Sequence, residues 1–124
     1  MTTEVPDIEW LPEVAAGNFD AALSYLTLIY DPVHAKKFVQ SLKKANISKF
    51  KAKDISRASG LSLLGISNTH VQRDIEKVQA GKALSPILLV RDTVNGKVIV
   101  ADGYHRMCAI YQLHEDAFIR CCIV

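Results

Sequence analysis

Hydrophobic residues recur at helical spacing in the first third of the chain. Ala22, Leu23, Leu26 and Ile29 share one stripe, which predicts a helix over 19–30 with Asn18 as its cap. Asp31-Pro32 is a restart signal, since Asp caps well and Pro suits the first helical position. Ala35, Phe38, Val39 and Leu42 then form the inward stripe of a second helix, over 32 to about 45. Lys36, Lys37, Lys43 and Lys44 fall largely on its outer side. A brief link between two short helices predicts an antiparallel pair. Trp10 and Leu11 precede the pair and are expected to pack as an anchor.

The period changes near Asn46. Phe50 and Ala52 alternate with Lys49, Lys51 and Lys53, as in a short half-buried strand that begins after Ile47. A helical turn over 54–59 is expected, stopped by Gly60. Ser67-Asn68-Thr69 is a cap cluster opening a helix over 70–78 that ends near Gly81. Ser85-Pro86 leads into the apolar run Ile87-Leu88-Leu89-Val90. Asn95-Gly96 is a hairpin signal, with Val98-Ile99-Val100 as the return strand. Asp102-Gly103 breaks that strand, and 104–113 reads as a helix with Met107, Ile110 and Tyr111 on one stripe. The segment 118–124 is a last apolar strand, in which Cys121 and Cys122 face opposite sides. This order predicts an α+β fold: a small mixed sheet with packed helices over 47–124, preceded by a helical N-terminal extension over 1–46.

At 124 residues, with 49% apolar and 23% charged positions, the chain has an ordinary globular balance that argues against disorder or fibres. No apolar run approaches the ~18 residues of a membrane span. The first residues lack a basic and apolar leader, so a cytoplasmic protein without a membrane partner is expected. The three cysteines form no Cys-x-x-Cys and read as reduced thiols. His34 and His114 lack the spacing of zinc ligands.

The net charge of +2 conceals an asymmetry that does change the picture. Residues 1–31 carry six acids and no Lys or Arg; 32–82 carry eleven Lys and Arg against three acids; 83–124 balance four against four. A basic middle points to an anionic partner, such as phosphate, nucleotide or nucleic acid. The alternative is that the acidic arm packs against the basic stretch, within one chain or across a homodimer. Residues 52–64 can also be fitted to a helix-turn-helix with Gly60 in its turn, although no basic recognition helix follows.

Chemistry candidates gather at two helix starts. In Asp102-Gly103-Tyr104-His105-Arg106 a strand meets a helix through a glycine. Free amides at such a start favour an anion, and His105 and Arg106 add donors. Gly103 would let a phosphate approach the backbone, and Asp102 could hold a metal, accept a proton, or simply cap the helix. In the second helix His70, Arg73 and Lys77 recur at i, i+3 and i+7 on one face, while Val71, Ile75 and Val78 take another. That face is either a solvated basic surface or part of a phosphate site.

The run Val71-Gln72 with Asp74-Ile75-Glu76, then Pro86-Ile87, Gly103-Tyr104-His105-Arg106 and 119–124 resembles the ParB/sulfiredoxin superfamily. The resemblance covers roughly 47–124 and implies a compact α+β nucleotide-binding fold. Sulfiredoxins carry Gly-Cys-His-Arg at the turn, where His and Arg hold nucleotide phosphates; those roles fall on His105 and Arg106. The catalytic Cys falls on Tyr104, which removes sulfinic acid reduction. The sulfiredoxin helix reading Lys-Val-Gln-Ser is similar to His70-Val71-Gln72-Arg73, which directs His70, Arg73 and Lys77, with the neighbouring Asn68, toward phosphates. An upstream Ile-Arg corresponds to Ser56-Arg57. ParB proteins carry Gly-Glu-Arg-Arg in a CTP site, and here Tyr104 replaces the Glu. Free-serine kinases carry Asp-Gly-His-His-Arg, the version nearest to Asp102-Gly103-Tyr104-His105-Arg106, with the Asp near the transferred phosphoryl.

The expected function is therefore a nucleotide- or phosphate-binding protein, as a small phosphotransferase or nucleotide hydrolase. Its ligand would be ATP, ADP or CTP, with magnesium at Asp102. The site residues are Asp102 and His105 as catalytic groups, with Gly103, Arg106, His70, Arg73, Lys77, Asn68 and Arg57 around the phosphates. The alternatives are a non-catalytic module that binds a partner or a second copy through the helical arm, and a nucleic-acid-associated protein.

Overall fold

The computed structural model describes residues 4–124. Its elements are α1 (Ala16–Leu26), α2 (Pro32–Lys44), β1 (Ser48–Lys51), α3 (Ala52–Ser59), α4 (Thr69–Gln79), β2 (Ile87–Asp92), β3 (Lys97–Asp102), α5 (Tyr104–Leu113) and β4 (Phe118–Ile123). The fold is α+β, with one four-stranded mixed sheet in the order β1-β4-β2-β3. β2 runs parallel to β4, while the β1–β4 and β2–β3 pairs are antiparallel.

Helices cover both faces of the sheet, while the edge strand β1, Phe50 included, stays mostly exposed. On one face Ile55, Val71, Ile75, Met107 and Ile110 from α3, α4 and α5 pack on Leu89, Val100, Ile119 and Cys121. On the other, Ala22 and Leu26 of α1 with Val39 and Leu42 of α2 pack on Leu88, Val90, Ala101 and Cys122. The adjacent cysteines thus do face opposite layers. Double burial also explains the continuous apolar run of β2, which shows none of the alternation of a one-sided strand. Trp10 forms a single parallel bridge with Leu84 and packs against the first of these cores.

Several local expectations need correction. Asn18 does not cap α1; it lies inside the helix and its Nδ2 donates to Ser85 Oγ at 2.7 Å. The cap residue is Ala15, whose amide donates to the same hydroxyl at 3.0 Å. The capping oxygen is thus borrowed from a residue 70 positions away. The helix stops at Leu26 and not Tyr30, because the Thr27–Tyr30 amides turn back onto Leu23, Tyr25 and Leu26. Ile29 consequently leaves the inward stripe and is exposed. Ala52 opens α3 and does not extend the strand; its amide donates to the Ala117 carbonyl at 2.8 Å. Asp31 does cap α2, accepting from the His34 amide, and this bond holds its carboxyl below the ordinary range. α3 ends at Gly60 in the left-handed region, followed by 61–65 outside any helix or strand, so no helix-turn-helix forms over 52–64.

Candidate functional site

The site begins where β3 ends. The β2–β3 ladder shifts register between Leu88 and Leu89, leaving Asp102 opposite Leu88 at the sheet margin. Gly103 follows at φ 109° and α5 starts at once. A Cβ on Gly103 would overlap the Ile87 side chain, 2.6 Å from its Cβ, and lie 3.0 Å from Arg106 Nη2. The glycine is therefore required by the packing of β2 under the turn as well as by its φ, which gives it a reason to be there independent of any ligand.

No side chain caps α5. Its first-turn amides consequently have no intrahelical acceptor. Asp102, expected as a capping candidate, instead accepts from Arg106 Nη2 at 3.1 Å. Both side chains are mostly buried, at 20% and 17% exposure, so this pair is shielded more than a surface ion pair. Arg106 Nε is buried with no hydrogen-bond partner among the described residues. Tyr104 turns its hydroxyl to donate to the Ser62 carbonyl, tying the segment before α4 to the start of α5. Burial and the nearby Cys108 thiol push the Tyr104 hydroxyl above its ordinary range, so the group is a donor at neutral pH. Cys108 accepts from the Leu64 amide at 3.5 Å and is a packed thiol.

α4 is set against α5 by Val71, Ile75 and Val78, which enter the same core as Met107 and Ile110. This turns its basic face toward the Asp102–Arg106 turn. His70, Arg73, Asp74, Lys77, Asp102, Gly103, Tyr104, His105 and Arg106 line one cleft of about 240 Å³. The His70 and His105 rings meet across it with centroids 4.8 Å apart at 40°. Three cations, Arg73, Lys77 and Arg106, with two imidazoles and two carboxylates thus share a small polar pocket.

Seven nominated residues converge here: His70, Arg73, Lys77, Asp102, Gly103, His105 and Arg106. Two do not. Asn68 is the N-cap of α4, its Oδ1 accepting from the His70 and Val71 amides at 3.0 and 3.2 Å. It satisfies the amides that a phosphate would otherwise use, so α4 contributes side chains rather than its N-terminus. Arg57 sits largely exposed on α3, 3.6 Å from Asp54, and is not part of the cleft lining. Sequence reasoning did not assign Asp74, which lines the cleft and is half-buried, while Glu76 is exposed. The signal was present: Asp74 stands at i+4 from His70, on the same helical face.

No group of three His, Cys, Asp or Glu side chains is arranged to hold a metal among the described residues. A larger groove of about 370 Å³, lined by Phe50, Ile55, Leu89, Val98 and others, opens beside the β2–β3 hairpin. It contains none of the nominated residues and is mostly apolar, so the polar cleft is the better candidate for charged chemistry. Comparison with protein-family models, curated proteins and solved structures found no match to this chain.

Proposed function

We infer that the cleft binds the phosphate groups of a nucleotide or small phosphorylated ligand, in a domain of ParB/sulfiredoxin type. One observation carries this reading: cationic side chains from two helices 30 residues apart in sequence face each other across a single polar pocket. Two features support it. The uncapped α5 start offers amides to an anion. The unsatisfied Arg106 Nε calls for an acceptor, which a phosphate oxygen supplies.

For phosphoryl transfer the residues divide as follows. His70, Arg73, Lys77, His105 and Arg106 neutralise and position phosphate oxygens. Asp102 is the carboxylate that would orient an acceptor hydroxyl. A phosphate drawing on Arg106 competes with Asp102 for the same guanidinium, which couples binding to release of that carboxylate. Magnesium would arrive on the nucleotide phosphates and take Asp102 as its carboxylate, since the described residues hold no three-ligand set. A second reading is a non-catalytic ligand sensor. The Asp102–Arg106 pair favours it, because the acid–base candidate is already engaged.

The test is a thermal-shift series with ATP, ADP, CTP, inorganic phosphate and pyrophosphate, with and without magnesium. Ligand at about 100 times its Kd adds about 2.7 kcal/mol of stability. Arg73→Ala and Lys77→Ala alter exposed side chains, so the unliganded Tm should hold while affinity falls about tenfold or more, the value of one charged hydrogen bond. Arg106→Ala should abolish binding. No shift with any anion, or undiminished affinity in folded Arg106→Ala, rejects the site. Asp102→Asn separates the two readings, since it removes turnover in an enzyme and spares binding in a sensor.

A further inference from the structure

The apolar groove beside the β2–β3 hairpin shares no lining residue with the phosphate cleft. α3 crosses the sheet from β1, which it follows directly, to β3, where Gly60 stands beside Lys97. Toward the hairpin the helices leave an opening, lined by β1, α3, the hairpin and β4 alone. Leu89, Val98 and Ile123 belong to the sheet face under α3 and form its floor, with Ile55 and the small Ala58 as a wall. At about 370 Å³, with a mostly apolar lining, the groove has the size and character of a small-molecule site.

Charge narrows what such a molecule carries. Four charged residues reach the groove, and its two acids are already engaged. Asp92 alternates onto the opposite sheet face, where its charge, after burial, helps raise the Tyr30 hydroxyl. Its oxygens accept from the Asn95 amide and Nδ2 at 3.3 and 2.8 Å. Asp54 faces Arg57 at 3.6 Å. Of the two cations, Lys97 turns its ammonium toward Gly60 at the C-terminal end of α3, where a cation complements the helix dipole. Arg91 is exposed and has no ion-pair partner among the described residues. It follows Ile87 and Leu89 along one side of β2 and stands opposite Val98, so its side chain rises from the groove floor. Burial and Cys122 raise the Cys121 thiol, and Arg91 pulls it down. The strand partner of Cys121 is Ile87, about 13 Å back along β2 from Arg91. The guanidinium therefore lies back over the apolar floor, not off the end of the sheet.

We propose that this groove is a second binding site, for a small apolar molecule ending in a carboxylate, with its tail on Leu89, Val98 and Ile123 and its carboxylate on Arg91. A guanidinium fork meets a carboxylate through two parallel hydrogen bonds. One cation suits one negative charge, whereas the phosphate cleft gathers three.

The test titrates the full chain with sodium octanoate, 1-octanol and sodium acetate up to about 2 mM, followed in amide magnetic resonance spectra, which register a Kd near 1 mM. Octanoate should move the Gly96, Val98 and Ile123 amides and leave Gly103 and His105 in place. Octanol keeps the tail and lacks the charge, so it should bind about tenfold more weakly, the value of one charged hydrogen bond, and give smaller shifts at matched concentration. Acetate should move nothing. Arg91→Gln changes an exposed side chain, so the fold should hold while octanoate binds no better than octanol. Should that variant misfold, the comparison of octanoate with octanol in the wild-type chain decides alone. The proposal is overturned by groove amides that octanoate leaves unmoved, by shifts confined to the Gly103 turn, by octanol or acetate binding as tightly as octanoate, or by a preference for octanoate that survives in folded Arg91→Gln.

Discussion

Gly103 shows how much one residue can settle. Its φ of 109° and the Ile87 side chain beneath it leave no room for a Cβ. Gly103→Ala combines backbone strain with core overpacking and should cost about 3 kcal/mol, read as a drop in the urea midpoint. Stability equal to wild type would mean that the turn can relax away from Ile87. The cysteines make a second residue-scale case. Burial first, and Cys122 next, push the Cys121 thiol up from 9.0 to about 12, with Arg91 pulling the other way. Burial also raises Cys108 and Cys122. The native protein should resist thiol alkylation at about pH 8, where thiolate is the reactive form, and urea should expose all three. The sign of the linked stability follows. A raised folded pKa favours the folded state fully below about 9, and this contribution is lost as pH climbs toward 12. Rapid labelling of Cys121 in the folded protein would contradict its burial.

At the scale of elements, α4 is the part whose local sequence and role agree best. Asn68 caps it, Val71, Ile75 and Val78 bury one face, and His70, Arg73, Asp74 and Lys77 line the cleft. Asn68→Ala should destabilise the protein by about 1 kcal/mol through the lost cap. Because Asn68 serves the helix and stands apart from the cleft lining, the phosphate affinity of the folded variant should be unchanged, which titration calorimetry can check. A loss of affinity without a loss of stability would return Asn68 to the site. α1 illustrates the opposite situation. Its polar candidate cap, Asn18, was readable, but the hydroxyl that serves the helix start comes from Ser85. A cap supplied across 70 residues leaves no local signature, and tertiary geometry overrode propensity there.

For the whole molecule, the consequence of covering both sheet faces with helices is that neither layer of helices is dispensable. Leu42 seals one face and Ile110 the other, both at 0% exposure. Leu42→Ala and Ile110→Ala should each cost about 3 kcal/mol, and each should lower a single unfolding transition. Two separated transitions in calorimetry would instead show that α1 and α2 unfold on their own. Much of this molecule was legible beforehand. The bounds of α2, α4 and α5, the hairpin at Asn95-Gly96 and the opposite facing of Cys121 and Cys122 follow from local rules of spacing, capping and turn chemistry. So does the membership of the basic stripe His70, Arg73 and Lys77, which helical periodicity dictates. What local rules could not decide is which surfaces meet. That α4 turns its stripe toward the Asp102–Arg106 turn depends on Val71 and Ile75 docking beside Met107 and Ile110, contacts made across more than 30 residues. That Gly103 answers to Ile87 depends on packing against β2. Periodicity states which side of an element is apolar; only the assembled core states what that side, and the polar side behind it, will face.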